Sequence, residues 1–332
     1  MFRKKIEKKT EAERVEERRE EVLAAGRKFK YPLQYTKHRI VVNTILIAVV
    51  MMALLVVGGW FALFKLQMTS DVLYRVTRVL PVSVATVEGE PVRFADYLML
   101  YRASVISVER QSGTFGDDEA SEELSTQYKR VALSQAEEYT YAIKLAKELG
   151  IKVTSEEITN EFERHRQVGG VDRSKAGFLK IVNDNFGMSE NEYRRMLELN
   201  LVEAKVAVAV DEEAQKIAEM VEQALATNGG NYQKTAEQLG DKVLYEETGG
   251  MVDSRNIDGG RSSMAMKLAP GEQSGKFVSL SGDGYYFVKL IEKTETEVNF
   301  VSLKVPFTVL DEKFAEVSEA GRIKEFIEVG DL

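Results

Sequence analysis

Residues Ile40–Phe64 read IVVNTILIAVVMMALLVVGGWFALF and contain no charged side chain. A helix needs roughly 20 mostly apolar residues to cross a bilayer, because hydrocarbon offers no partner to an unpaired backbone group. The stretch ends in Trp60, Phe61, Phe64 and Lys65, which are typical of a permanent membrane boundary. A signal peptide has a shorter apolar core, of about 7–15 residues, followed by small residues. The sequence therefore predicts a transmembrane helix over 40–64, with a buried core helix as the alternative.

Charge is distributed unevenly around this stretch. Residues 1–40 hold 13 Lys and Arg against 7 Glu, which leaves a charge of −14 on residues 41–332 of a chain whose net charge is −8. Basic residues beside a span stay on the cytoplasmic side. We therefore predict a single-pass protein of the plasma membrane with a cytoplasmic N-terminus and extracytoplasmic C-terminal domains. The basic residues near the span serve either as this topology signal or as contacts to anionic lipid headgroups.

The whole chain has 30% charged residues and a mean hydropathy of −0.24, so outside the stretch its composition is that of a soluble protein. The chain has no cysteine, which excludes disulfides, thiolate metal sites and cysteine nucleophiles. Phosphate binding needs clustered Lys and Arg, so the acidic outer part argues against nucleic acid as a partner. Its length allows two modest domains besides the span.

Residues 84–210 have a mostly helical pattern. A strand over Val84–Val87 and a turn at 88–91 precede a helix that begins at Phe94, and a polar loop over 111–121 separates it from a helix over Glu122–Leu149. Two capping boxes, Thr154-x-x-Glu157 and Ser189-x-x-Glu192, begin helices that run to about Arg166 and Val210.

Beyond Asp211 the pattern becomes that of an α+β unit with a small sheet. Helices are predicted over 212–226, 231–239, 263–268 and 311–329, and strands over 275–279, 285–292 and 298–307.

Two stretches together resemble a known arrangement. The run VATVEGEPVRFADYLMLYRA, from Val84 to Ala103, is similar to the opening strand, turn and helix of the chaperone domain of SurA-, PrsA- and PpiD-type extracytoplasmic folding factors. Residues 211–293 resemble a parvulin-type peptidyl-prolyl isomerase domain, through DEEAQKIAEMVEQ, NYQKTAEQL, Gly249-Gly250 and MAMKLAPGEQSGKFVSLSGDGYYFVKLIEK. The resemblance implies a membrane-anchored folding factor whose partners are unfolded or secreted polypeptides, with no cofactor and no metal.

The chain also departs from the parvulin pattern. The family carries a histidine on its opening strand and another after the Gly-Tyr of its closing strand. Here Tyr286 follows Gly284-Tyr285, and no histidine occurs after His165. The residues before Asp211, LVEAKVAVAV, are typical of a helix instead of an opening strand. The run Val298–Phe307 could take that strand's place as a circular permutation of the sheet.

The resemblance implies substrate-binding residues for a prolyl ring, which are Val252, Met264, Met266, Phe277 and Tyr285. Twisting a prolyl amide crosses a barrier of about 18–20 kcal/mol and needs no nucleophile. Tyr286 could keep a catalytic hydroxyl where the family has histidine. Alternatively it is a strand residue that packs at the rim.

Other chemistry finds little support. His38 lies beside the span and His165 between two arginines on a helix, which argues against a Ser-His-Asp arrangement. Asp253 and Asp258 lack the ladder of ligands that a calcium loop needs and are interpreted as turn residues. One set of side chains either lines a groove for unfolded chains or forms core; it comprises Tyr97, Met99, Tyr101, Tyr128, Tyr139 and Tyr141.

The predicted fold class is therefore α+β with a single N-terminal transmembrane helix. The predicted order is a charged tail (1–39), the span (40–64), a stalk (65–83), a helical chaperone domain (84–210), a parvulin-like domain (211–310) and a C-terminal helix (311–332). Three functions follow as hypotheses: an anchored chaperone or foldase, an active prolyl isomerase with a substituted site, and a structural envelope protein. The oligomeric state is left open.

Overall fold

The computed structural model of the chain describes residues 10–112, 119–168 and 171–330. The side chains of 27–38, 111–112 and 119–120 lie outside this description, and so do the predicted contacts of His38 and of the basic residues at 27–37. Residues 1–66 and 67–332 form two compact units. The fold is α+β, as predicted.

The first unit is one long helix, α1 (Glu11–Phe64). Thr10 and Glu13 form a capping box at its N-terminus, with the Thr10 amide donating to Glu13 Oε2 at 2.9 Å. Its stretch Arg39–Phe64 is long and apolar enough to cross a membrane, and it is the only such helix among the described residues. The predicted charged tail is therefore helical from Glu11 onwards.

The second unit begins with a mostly helical part, as predicted. Its elements are α2 (Asp71–Val79), β1 (Ser83–Val87), β2 (Glu90–Arg93), α3 (Phe94–Ser112), α4 (Glu119–Leu149), α5 (Ser155–Arg166), α6 (Lys175–Phe186) and α7 (Glu190–Val210). Of these elements, α2, β2 and α6 were not predicted. Both predicted capping boxes are present, at the starts of α5 and α7. The core between α3, α4 and α7 is made of large buried side chains, among them Tyr97, Leu98, Leu133, Leu197 and Leu199.

The predicted turn at 88–91 is shorter in the structure. Glu88 and Gly89 have φ of 48° and 87°, so these two residues alone make a tight hairpin turn between β1 and β2. Most of the predicted loop at 111–121 falls on residues outside the description.

The segment 65–83, predicted as a stalk, contains a packed helix. Tyr74 and Thr77 of α2 are buried, and the Arg102 guanidinium of α3 lies 4.9 Å from the centre of the Tyr74 ring. In DVLYRVTRV the apolar and charged residues fall on different sides of a helix. This amphipathic pattern indicates the helix, but the sequence interpretation did not use it.

The rest of the second unit is built around an antiparallel sheet. Its elements are α8 (Glu212–Thr227), α9 (Tyr232–Leu239), β3 (Leu244–Glu247), β4 (Val252–Asp253), α10 (Arg261–Lys267), β5 (Phe277–Val278), β6 (Gly284–Lys293), β7 (Glu297–Pro306), α11 (Val309–Glu319) and β8 (Ile323–Glu325). The strand order is β3-β7-β6-β5. Strand β4 pairs with the first residues of β7, on the same edge of β7 as β3. Helices α8 and α9 contact β7, and α10 contacts both β6 and β7.

The predicted closing helix over 311–329 is wrong beyond Glu319. The chain turns at Gly321, whose φ of 64° suits a residue without a Cβ at a helix end. It then enters β8, which pairs antiparallel with β1 through Ala85 and Glu325. Strand β8 therefore completes a three-stranded sheet, β2-β1-β8, with the helical part of the unit.

Candidate functional site

Four side chains form one row across the larger sheet. Phe277 of β5 is paired with Tyr286 of β6, Tyr286 with Lys304 of β7, and Lys304 with Leu244 of β3. Paired residues in antiparallel strands point to the same face. The residue predicted to replace the family histidine therefore lies on the same face as the aromatic ring predicted to hold proline.

Below this row, α10 closes an apolar cluster on the same face. Val252, Met266 and Phe277, three of the predicted substrate-binding residues, pack against it. The buried members of the cluster are Ala265, Leu268, Val288, Leu290, Val298 and Phe300. The structure thus packs three of the five predicted residues against one cluster, and of these Phe277 stacks on Tyr286 with ring centres 6.1 Å apart.

The other two predicted residues do not join them. Tyr285 precedes Tyr286 on the same strand and so faces the opposite side of the sheet. There it packs edge-on against Phe307, with ring centres 5.0 Å apart. Met264 is half-buried on α10, and among the described residues it is not one of those packed against the cluster.

Tyr286 is 3% exposed and its hydroxyl is engaged. The hydroxyl donates to Asp283 Oδ2 at 3.0 Å, and Lys304 Nζ donates to the same oxygen at 2.6 Å. Burial raises the pKa of Tyr286, and the charge of Asp283 adds to this effect. Burial alone would raise the pKa of Asp283 as well, but hydrogen bonds from Lys304 and Ser279 outweigh it and hold that pKa below its usual value. Tyr286 is therefore a neutral hydrogen-bond donor to the charged pair of Asp283 and Lys304.

The ring of Tyr286 is covered from the α10 side. The Arg261 guanidinium lies 5.0 Å from the ring centre and forms an ion pair with Glu246. A Cβ added to Gly259, whose φ is 72°, would lie 3.3 Å from Tyr286 Cε2 and 2.6 Å from Ser279 Oγ. The loop before α10 therefore needs glycine here in order to pass over the ring. This geometry favours the packing interpretation of Tyr286.

The two loop aspartates make local contacts. Asp253 Oδ1 accepts a hydrogen bond from the Arg255 amide at 2.8 Å, and Asp258 Oδ2 accepts from the Ser262 amide and hydroxyl at 3.0 and 2.5 Å. His165 is hydrogen-bonded to Tyr193 and Glu161 in the helical part. Within the described ranges, no group of three or more His, Asp and Glu side chains is placed to hold a metal.

The aromatic and methionine side chains of the helical part are mostly core. Of the set predicted to line either a groove or a core, all except Tyr128 are buried, with 1–7% of their surface exposed: Tyr97, Met99, Tyr101, Tyr139 and Tyr141. The core interpretation holds for these residues.

A cavity that the sequence interpretation missed lies between β2, α4 and α7. Its volume is about 330 Å³, and its lining joins apolar side chains to an ion pair. In that pair Arg195 Nη2 and Nε donate to the two Asp96 oxygens at 2.9 and 3.2 Å. The apolar part of the lining comprises Pro91, Ile143, Ala146, Ile151, Leu199 and Val202. The sequence did offer one sign of this cavity, which is Asp96 among the apolar residues at the start of α3.

A sequence profile of one known family matches this chain. It is the SurA-like N-terminal domain, and it matches residues 34–207, more than half of the chain. The chain belongs to this family. No curated protein matches the chain, and no solved structure does.

The SurA-like N-terminal domain match runs from α1 to the last turn of α7. It includes the β1–β2 hairpin, the Asp96–Arg195 pair and the cavity between β2, α4 and α7. The sheet that carries Tyr286 lies outside the matched residues. Strand β8 also lies outside them, although it pairs with β1 inside them.

Proposed function

We propose that this protein is a membrane-anchored extracytoplasmic chaperone that binds unfolded polypeptide segments. The family match carries the proposal, because a SurA-like N-terminal domain indicates a chaperone-type role. The apolar stretch Arg39–Phe64 and the basic residues before it support an anchor with a cytoplasmic N-terminus.

The proposed binding site is the cavity between β2, α4 and α7. Its wall of Ile143, Ile151 and Val202 suits an apolar side chain of a client, and Arg195 and Asp96 offer polar groups to the client backbone. Sites of this kind combine an apolar lining with a few polar groups that set orientation.

Aggregation of a denatured client tests both statements. The full chain in nanodiscs is expected to suppress aggregation in proportion to its concentration. Val202→Gln, which makes the cavity wall polar, is expected to weaken suppression several-fold. Val131→Gln is the matched control, since Val131 lies on α4 with 45% of its surface exposed. No suppression by the unmodified chain would rule out the chaperone. Equal suppression by both variants would remove the cavity from the proposal.

Topology is tested separately by labelling single cysteines. Each introduced cysteine reports one position, because the chain has no cysteine of its own. A membrane-impermeant maleimide is expected to label Lys313→Cys in intact cells, and to label Glu16→Cys only after lysis. The opposite pattern would invert the proposed orientation.

A second candidate is a parvulin-like prolyl isomerase with a permuted sheet. The observation that favours it is the place of β7, which lies between β3 and β6 and pairs with the Gly-Tyr strand from Gly284 to Lys293. A C-terminal strand at this position could serve as the missing opening strand. Since the Tyr286 hydroxyl is bonded to Asp283, we expect the domain to act mainly as a binding module.

A protease-coupled assay with a proline peptide distinguishes these roles. A binding module gives no acceleration above the uncatalysed rate. Acceleration that is lost in Tyr286→Phe would establish the isomerase. Crosslinking addresses the third hypothesis, because one fixed partner in place of diverse clients would indicate a structural envelope protein.

A further inference from the structure

Helix α2 is fixed to the helical part by one of its sides. Tyr74 and Thr77 are buried, with 5% and 2% of their surface exposed. Arg102 of α3 forms an ion pair with Asp71 and also lies against the Tyr74 ring. The orientation of α2 about its own axis is therefore set by contacts with its neighbours.

The opposite side of α2 is apolar and exposed. Val72, Val76 and Val79 follow the i, i+4, i+7 spacing of a helical stripe, and 71%, 40% and 82% of their surfaces are exposed. Leu80, which follows the last helical residue in an extended conformation, is also exposed, with 52% of its surface open. A row of valines that faces water on a helix packed from behind requires a partner.

Arginine borders the stripe on one side. Arg75 is exposed beside the valines. Arg78 is exposed farther round the helix, where its Nη1 lies 3.6 Å from Glu192 Oε1 and its guanidinium 5.8 Å from the centre of the Tyr74 ring. An apolar stripe bordered by arginine is the arrangement of helices that lie in a membrane interface, where the guanidinium groups reach the lipid headgroups.

The chain length limits how far α2 can be from a bilayer. Only Lys65–Ser70 separate the apolar stretch from α2. Six residues reach at most about 20 Å when fully extended. If α1 crosses the membrane, as the proposed function requires, α2 begins within that distance of the lipid surface.

We propose that the valine stripe of α2 lies in the outer interface of the phospholipid bilayer. This inference rests on the proposed membrane anchor. Because α2 is rigidly attached to α3, its seating would fix the orientation of the SurA-like N-terminal domain relative to the membrane and hold the β2, α4 and α7 cavity at a constant height above it.

Spin labels on single cysteines test the depth of α2. The full chain carries Val72→Cys, Val76→Cys or Val79→Cys in nanodiscs of phosphatidylcholine and phosphatidylglycerol. Power saturation compares the accessibility of each label to oxygen and to a water-soluble nickel chelate. Val50→Cys in the apolar stretch reports the anchor, and Lys313→Cys on exposed α11 reports water. The α2 labels are expected to show an oxygen-to-nickel accessibility ratio several-fold above that of the Lys313→Cys label.

The outcomes separate the two proposals. If the α2 labels match the Lys313→Cys label while the Val50→Cys label lies deep in lipid, the helix proposal fails and the anchor stands. If the Val50→Cys label is open to water, both fail. Dipolar broadening between α2 labels, when two chains share a nanodisc, would show that a second copy covers the stripe and would also overturn the proposal.

Discussion

Glu137 lies on α4 with 4% of its surface exposed, and its Oε1 has no hydrogen-bond partner. Burial raises its pKa to about 8, and the nearby charge of Glu325 adds to the shift while Arg130 opposes it. A carboxyl group in such surroundings holds its proton near neutral pH. Nothing in the helical pattern of α4 marks this residue as buried, because the neighbour Glu325 arrives from the far end of the chain.

We predict that Glu137→Gln changes the pH dependence of stability. Below pH 4.5, the ordinary pKa of the group, the folded and unfolded chains both hold the proton. Between pH 4.5 and about 8 the Glu137 carboxyl is protonated in the folded chain but charged in the unfolded chain. The stability of the fold therefore falls as pH rises through this range. Thermal melts at pH 5 and pH 8 are expected to show the variant gaining on the wild type, by up to about 1.4 kcal/mol per pH unit. A constant difference would contradict the assignment.

Arg130 on α4 holds the C-terminal segment. Its guanidinium donates to both Glu325 oxygens at 2.6 and 3.0 Å and to the carbonyls of Val329 and Gly330 at 2.6 and 3.2 Å. We predict that Arg130→Met destabilises the unit by about 2–3 kcal/mol, because charged partners and carbonyls lose their donor. Hydrogen exchange over 323–330 is expected to speed up.

The matched control is Arg322→Met. Arg322 pairs with Glu88 but is half exposed, and exposed pairs contribute at most about 1 kcal/mol. Equal effects of the two variants would show that Arg130 is no special tether.

Among the elements, β6 and β7 dominate the larger sheet. Their pairing runs from Gly284 opposite Pro306 to Lys293 opposite Val298. The sequence pattern predicted both strands, because each is a long apolar or alternating run. Their neighbours β3 and β4 were not predicted, since they are short and half exposed and take their place from the partner strand β7.

Gly284 begins β6 at a point of close backbone approach. A Cβ there would lie 2.4 Å from the Val305 carbonyl oxygen, which belongs to the backbone of the adjacent strand and cannot easily move. We predict that Gly284→Ala lowers the stability of the sheet by about 2 kcal/mol or more. Gly275→Ala is the control, because a Cβ at Gly275 meets nothing within 4 Å. Melts that shift equally for both would refute the steric argument.

At the scale of the whole molecule, the second unit closes on itself. The chain passes from the helical part through the sheet that carries Tyr286 and returns as β8 to pair with β1. The Thr308 and Val309 amides donate to Asp211 Oδ2 at 2.9 and 3.3 Å, which joins the start of α11 to the end of α7. The helical part is therefore completed by residues far away in sequence.

We predict that a chain ending at Arg322 loses order in β1. Without β8, the Val84 carbonyl loses the Phe326 amide that donates to it at 2.9 Å, and Thr86 loses its paired residue Lys324. Hydrogen exchange at 84–88 is expected to speed up by at least tenfold, with a lower melting temperature. A chain ending at Gly330 is the control and should retain wild-type protection. Unchanged protection in the shorter chain would show that β1 is stable without its C-terminal partner.

The features that could be predicted from the sequence are those that depend on neighbours within a few turns. The apolar stretch before Lys65, the capping boxes at Thr154 and Ser189, and the alternation of β6 are local patterns with local causes. The family resemblance of the helical part could also be recognised from the sequence, since its motif lies in one continuous stretch. At the candidate site, the alternation of strand residues already separates Tyr285 from Tyr286.

The remaining features depend on contacts between residues that are far apart in the chain. Several of these features involve residues from different elements. They are the burial of Glu137, the Asp96–Arg195 pair in the cavity wall, and the hydrogen bonds at Asp283 that involve Tyr286 and Lys304. The same holds for β8, where a predicted helix gave way to a strand beside β1. Local propensity differs by only about 1 kcal/mol per residue between helix and strand. Pairing with a distant edge therefore outweighs it, and no short window of sequence contains that edge.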